Sequence, residues 1–189
     1  EHRISLGTDA SVIAARMAPD FSQVIAATSK GTITVHRRDV LADSTHTRQA
    51  ADVESQGTFQ TAVYDPSGTY VVTGDRTTDR LSRYGANGHL THSIQLPGPR
   101  RITWPRSKRL VVLTNSPGQL QLVNSETLAL VGTCGEQGWR DLAASPQQHY
   151  IVALDHKSKV HVMEASHECP VYRFESVGAH SVAIDDSGQ

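Results

Sequence analysis

The chain lacks most of what would announce a chemistry. Its 189 residues hold no apolar run near the ~18 needed to span a bilayer, and no signal-peptide pattern stands at its start. Two cysteines, Cys134 and Cys169, are too few for a disulfide framework. They fall near outer strands of adjacent units, which splay apart, so a bridge between them is not expected. There is no Asn-x-Ser/Thr acceptor site. Together these absences lean towards a reducing, intracellular compartment, cytoplasmic or nuclear. The net charge of −1 excludes a broadly basic nucleic-acid binder. No Gly-rich phosphate loop, Gly-x-Ser-x-Gly elbow or His-Glu-x-x-His occurs, and no window carries a helical apolar stripe.

What is present is a repeat. An apolar residue before a turn recurs as Met17-Ala18-Pro19-Asp20, Tyr64-Asp65-Pro66-Ser67-Gly68, Trp104-Pro105-Arg106-Ser107, Ala144-Ser145-Pro146-Gln147 and Ile184-Asp185-Asp186-Ser187-Gly188. The steps are 47, 40, 40 and 40 residues, a period that marks solenoids and propellers. Each unit reads as a first strand (Ser11–Ala18, Phe59–Tyr64, Arg101–Trp104, Arg140–Ala144), then a short apolar second strand (Gln23–Thr28, Tyr70–Gly74, Leu110–Thr114, Tyr150–Leu154). An alternating third strand follows (Thr32–His36, Arg80–Tyr84, Gln119–Val123, Lys159–Met163), and then a weaker fourth (Leu90–Leu96, Ala129–Gly132, Pro170–Phe174). In the first unit the fourth strand falls near Ser44–Gln49, inside a polar insertion, 41–57, that otherwise reads as strandless and flexible.

The fold class that follows is all-β: a β-propeller of four consecutive four-stranded blades plus single strands of flanking blades, part of a seven- or eight-bladed ring. The units run approximately 11–57, 58–99, 100–138 and 139–178. Segments 1–10 and 179–189 supply strands of flanking blades, with Ser181–Ile184 as the first strand of a fifth. A chain beginning at Glu1 is read as a processed product or a piece of something longer. Stacking blades about an axis buries both apolar faces of each. Small residues of the first strands (Ala14, Ala15, Ala62, Ala143, Ala183) suit a crowded axis.

Phe59-Gln60-Thr61-Ala62-Val63-Tyr64-Asp65-Pro66-Ser67-Gly68 and Ser29-Lys30-Gly31-Thr32-Ile33-Thr34-Val35-His36-Arg37 resemble the opening strand and turn, and the second turn and third strand, of WD40 repeats. The resemblance extends over essentially the whole chain. The family's Trp-Asp pair falls on His36-Arg37, Tyr84-Gly85, Val123-Asn124 and Met163-Glu164, and Gly138-Trp139 stands where a Gly-His pair is expected. The resemblance therefore implies the fold while implying that the family's buried polar tetrad is mostly lost. Quinoprotein-like propellers remain an alternative.

Chemical readings of single residues are weak. His156 lies in a turn and His161 in the following strand, with no third group at a ligand spacing. Asp155, His156 and Ser158 name a hydrolytic triad but share one tight turn, which forbids the relay. Asp185-Asp186-Ser187-Gly188 starts like a calcium loop without its later ligands and repeats the turn at Asp65-Pro66-Ser67-Gly68. Trp104 occupies a core slot. Trp139 reads as a loop residue that either caps the groove between units or meets a partner.

One surface pattern points to binding. Loops before first strands and turns between second and third strands share one face of a propeller. There the sequence places Arg76, Arg80, Arg100, Arg101, Trp139, Arg140 and Lys157, diluted by Asp75, Asp79, Asp141 and Asp155. Arg106, Lys108 and Arg109 belong to the opposite face. Arginine suits bidentate contact with acidic or phosphorylated segments. The expectation is a non-catalytic protein–protein interaction scaffold within a larger protein or assembly, with no cofactor, no metal, no membrane span and no direct nucleic-acid binding. The alternatives are a fragment of a propeller enzyme with an axial site and a purely architectural element.

Overall fold

The structure is a computed structural model that describes residues 11–17, 23–28, 33–37, 47–48, 59–65, 69–75, 77–85, 89–104, 108–114, 118–134, 138–145, 149–164, 172–175 and 178–184. Over these residues the fold is all-β and antiparallel. The first sheet comprises β1 (Val12–Met17), β2 (Gln23–Thr28), β3 (Ile33–Arg37) and β4 (Thr47–Arg48). The second comprises β5 (Phe59–Tyr64), β6 (Tyr70–Asp75), β7 (Arg80–Gly85) and β8 (Leu90–Gln95). The third holds β9 (Pro99–Thr103), β10 (Arg109–Thr114), β11 (Leu120–Asn124) and β12 (Leu130–Cys134). The fourth holds β13 (Trp139–Ala144), β14 (Tyr150–Asp155), β15 (Lys159–Glu164) and β16 (Tyr172–Glu175). In every sheet the strands pair in chain order. First strands meet across sheets, β1 against β5, β5 against β9 and β9 against β13, so the arrangement is propeller-like with the first strands innermost.

The second strands explain why the sheets stack. Along β10, Leu110 and Val112 enter one core with Val72, Leu81, Ile102, Trp104 and Leu128. Val111 and Leu113 enter the other with Trp139, Leu142, Ile151 and Met163. A strand's side chains alternate between faces, so an unbroken apolar run can be buried only between two neighbours. Trp104 is core, as its slot in the repeat predicts. Turns are closed by short side chains. The Asp65 carboxylate accepts the Tyr70 N–H at 2.6 Å. The Ser145 hydroxyl accepts those of His149 and Tyr150 at 3.1 and 3.2 Å. Asp and Ser bonding nearby backbone is what turns favour.

Each first strand carries the same irregularity. The register against its second strand slips between Val12 and Ala14, Phe59 and Thr61, Pro99 and Arg101, and Trp139 and Asp141. Ile13, Gln60, Arg100 and Arg140 are thus the extra residues of four β-bulges, features that bend a strand and re-aim its side chains.

Several sequence expectations need correction. β9 and β13 start at Pro99 and Trp139, earlier than the alternation suggested. Trp139 is therefore not a loop residue; it opens a strand opposite Asp155. Thr47–Arg48 form the fourth strand of the first sheet, within the span Ser44–Gln49 where the sequence placed it; the rest of 41–57 lies outside the described residues, as do 1–10. Ser181–Ile184 form no strand. Of the small first-strand residues, Ala62 is buried, Ala15 and Ala183 are exposed and Ala143 borders a cavity.

Leu113→Ala should cost about 2–5 kcal/mol, because it empties part of a core between two sheets. Leu130→Ala, at a side chain 56% exposed on β12, should change stability by about 0.5 kcal/mol or less. Urea unfolding of both variants checks this; equal losses would contradict the two-faced packing.

Candidate binding site

The two kinds of loop at one end of the sheets are bonded to each other. Asp79, in the β6–β7 turn, accepts the Gly98 N–H through its carboxylate at 2.7 Å and the Leu96 N–H through its carbonyl at 2.7 Å. Gly118, in the β10–β11 turn, accepts the N–H groups of Gly138 and Trp139 at 3.1 and 2.8 Å. Gly118 has φ +72, and a Cβ there would stand 2.9 Å from the Trp139 carbonyl oxygen, so only glycine fits the junction. This end carries the bulges. A cavity of about 420 Å³ lies between the inner strands, lined from Arg101 and Asp141 to the far strand ends at Met17, Tyr64, Trp104 and Ser145.

Arg101, Asp141 and Val182 meet at that cavity. Arg101 Nε lies 3.3 Å from Asp141 Oδ1, joining β9 to β13, with the arginine side chain 51% exposed and the carboxylate 11%. Asp141 Oδ2 accepts the Val182 N–H at 3.2 Å. Apolar walls follow from Val63, Ile102, Trp104 and Leu142.

The other basic residues singled out in the sequence divide. Arg80, Arg100, Arg140 and Lys157 are exposed; Arg76 lies outside the described residues. Arg100 and Arg140 hold matching bulge positions on adjacent sheets. Arg80 opens β7 opposite Asp75, and Lys157 sits in the β14–β15 turn. Lys108 pairs with Glu126 at 3.2 Å at the other end of the third sheet, an exposed pair of little energetic weight.

The acids expected to dilute the basic face are engaged. Asp75 Oδ1 accepts from the N–H groups of Thr77 and Thr78 at 2.8 and 3.2 Å. Asp79 holds Gly98, Asp141 holds Arg101 and Val182, and Asp155 holds its own turn through Lys157 and Lys159 at 2.8 and 2.9 Å.

Of the two readings of Trp139, the structure places it between units and not at the surface. It is 7% exposed, within the core between the third and fourth sheets, and meets His161 edge-on at 4.7 Å between centroids. His161, 5% exposed, places Nε2 at 3.0 Å from Asp155 Oδ2. The sequence reading missed this Asp–His–Trp group, buried at His161 and Trp139 and part-exposed at Asp155. The forty-residue register contained a signal for it, since Trp139 repeats the position of Phe59, which also packs edge-on against an aromatic ring, that of Tyr84. His156 is instead exposed, packed over Gly138, where a Cβ would collide with its ring. Among the described residues no cluster of three potential metal ligands occurs, and no helix is long and apolar enough to cross a membrane.

A basic side chain used for structure looks different. Arg83 is buried, lies 3.7 Å over the Tyr70 ring and donates to the Glu126 carbonyl of the next sheet at 2.5 Å.

No protein-family model and no curated protein matches the chain. Among solved structures, hydrazine synthase from Kuenenia stuttgartiensis matches with a TM-score of 0.70 at 16% identity, over 90% of this chain. The chain spans about half of that protein's length, 51%. In all, 1324 chains of known structure resemble it. At this identity the likeness shows the propeller-like fold alone.

Burial works to raise the Asp155 carboxyl, but the hydrogen bonds from His161, Lys159 and Lys157 and the charge of His161 hold it below its ordinary value. A depressed carboxylate stabilises the fold fully above its unfolded pKa, and that contribution is lost as pH falls through the folded value. Asp155→Asn should therefore flatten the acid limb of stability against pH. Urea midpoints from neutral to strongly acid pH test it, and identical acid limbs would contradict the assignment.

Proposed function

We propose that the chain is a non-catalytic protein–protein interaction module, a WD40-like β-propeller portion of a larger protein or multi-subunit assembly, within a seven- or eight-bladed ring. It presents its bulged end to an acidic or phosphorylated segment of another chain, in the cytoplasm or nucleus. The observation that carries this is an imbalance of hydrogen-bonding capacity. Asp75, Asp79, Asp141 and Asp155 each accept hydrogen bonds from backbone N–H groups, whereas Arg80, Arg100, Arg140 and Lys157 are exposed and form no ion pair among the described residues. Donors aimed at solvent, arranged by repeated bulges on successive sheets, suit an anionic partner and its steered association.

The enzyme alternative draws on the same cavity and on a structural neighbour that is an enzyme. An axial active site needs converging ionisable groups. Among the described residues lining the cavity, the charged groups are Arg101 and Asp141, already bound to each other; this favours the interaction module.

Binding of poly-glutamate and of phosphopeptides, against neutral and basic controls, tests the proposal. Reversing two rim charges with Arg100→Glu and Arg140→Glu should weaken acidic-peptide binding about tenfold or more and reduce its salt dependence. Affinity unchanged by the reversal and by salt removes the basic end as the docking surface.

A further inference from the structure

We infer that the cavity between the inner strands is a subsite for a carboxylate carried beside an apolar side chain, supplied by an extended segment of the partner and anchored by Arg101. This rests on the interaction-module reading and names the group that the module grips.

The ion pair at the cavity is lopsided. Asp141 has both oxygens engaged, Oδ1 by Arg101 Nε and Oδ2 by the Val182 N–H, and is nearly buried. Arg101 is half exposed and gives Nε to Asp141; its terminal amino groups form no ion pair with another acid among the described residues. The unspent capacity at the cavity is therefore that of a donor, and it takes an anion. Asp141 also steers the guanidinium, so less side-chain freedom is lost when a ligand docks. Ile102 and Leu142 supply apolar wall, while Ala143 and Ala144 leave the space open. A volume of about 420 Å³ lies within the ~300–1,000 Å³ of sites that hold small groups, which typically combine apolar lining with few fixed polar atoms.

The charge of Asp141 decides between anions. It stands 3.3 Å from the anchoring nitrogen and offsets much of the attraction of Arg101 for any anion, while the cost of desolvating an anion rises steeply with its charge, so a phosphate, close to doubly charged, loses more than a singly charged carboxylate. Arg100 and Arg140, the bulge residues that directly precede Arg101 and Asp141 in sequence, add positive charge next to the pair. Discrimination then falls to Arg101.

The test is calorimetric binding of a short neutral peptide carrying one Glu flanked by Leu, and of its Gln and phosphoserine counterparts. The Glu peptide should bind about tenfold or more tightly than the Gln peptide, and more tightly than the phosphoserine peptide. Ala143→Leu fills the cavity and leaves every arginine in place; it should abolish the difference between Glu and Gln. Arg101→Lys keeps a cation beside Asp141 but removes the paired donors, and should also lose the Glu preference. Thermal unfolding establishes that both variants are folded. A Glu preference that survives both substitutions overturns the subsite and leaves the rim arginines, and with them the interaction module, standing. Tighter binding of phosphoserine overturns the carboxylate assignment. No binding of any acidic peptide to the folded protein overturns both readings.

Discussion

Each second strand must bury two faces at once, and the rest of the molecule follows from that requirement. In β10 every residue from Leu110 to Thr114 is buried, with successive side chains sent into different cores. A lone sheet with such a strand would leave one apolar face in water. The neighbour on either side is thus part of the fold's thermodynamics, and sheets become walls for one another. Inner strands converge as a result, and a cavity bordered by β9 and β13 is the space left between them.

Polar groups obey the same constraint at the margins. Where two sheets meet, a charged side chain has to find a partner or reach solvent. Arg83 finds one, between the Tyr70 ring and the Glu126 carbonyl. Asp155 finds His161, which in turn lies against Trp139. Asp141 finds Arg101 and Val182 across a sheet boundary. These contacts all link sheet to sheet or close a turn. Among the described residues, the arginines at the bulges make no comparable commitment, and that contrast separates scaffold from surface within a single residue type.

The fold was legible because its cause is periodic. Apolar second strands and the forty-residue step are direct consequences of two-sided burial, so the strand order could be read from residue type alone. The ends of the first strands were less legible. Pro99 and Arg100 do not look like strand residues, and a bulge breaks the alternation that would reveal them and Trp139. Trp139 was misread for that reason. The Asp155–His161 contact was hidden because it joins a turn to a strand through side chains, which periodicity does not encode. The basic end was visible as composition. That its acids are engaged in hydrogen bonds could be known only from geometry.

The bulges carry a consequence of a different kind. Gln60, Arg100 and Arg140 have no ladder partner on the second strand, so their identity is decoupled from sheet pairing. A substitution there leaves both cores and the register intact. The architecture therefore holds a row of positions, one per sheet, at which recognition can drift between related chains while the frame stays constant. Divergence of specificity in such a protein would be concentrated at one residue in each forty.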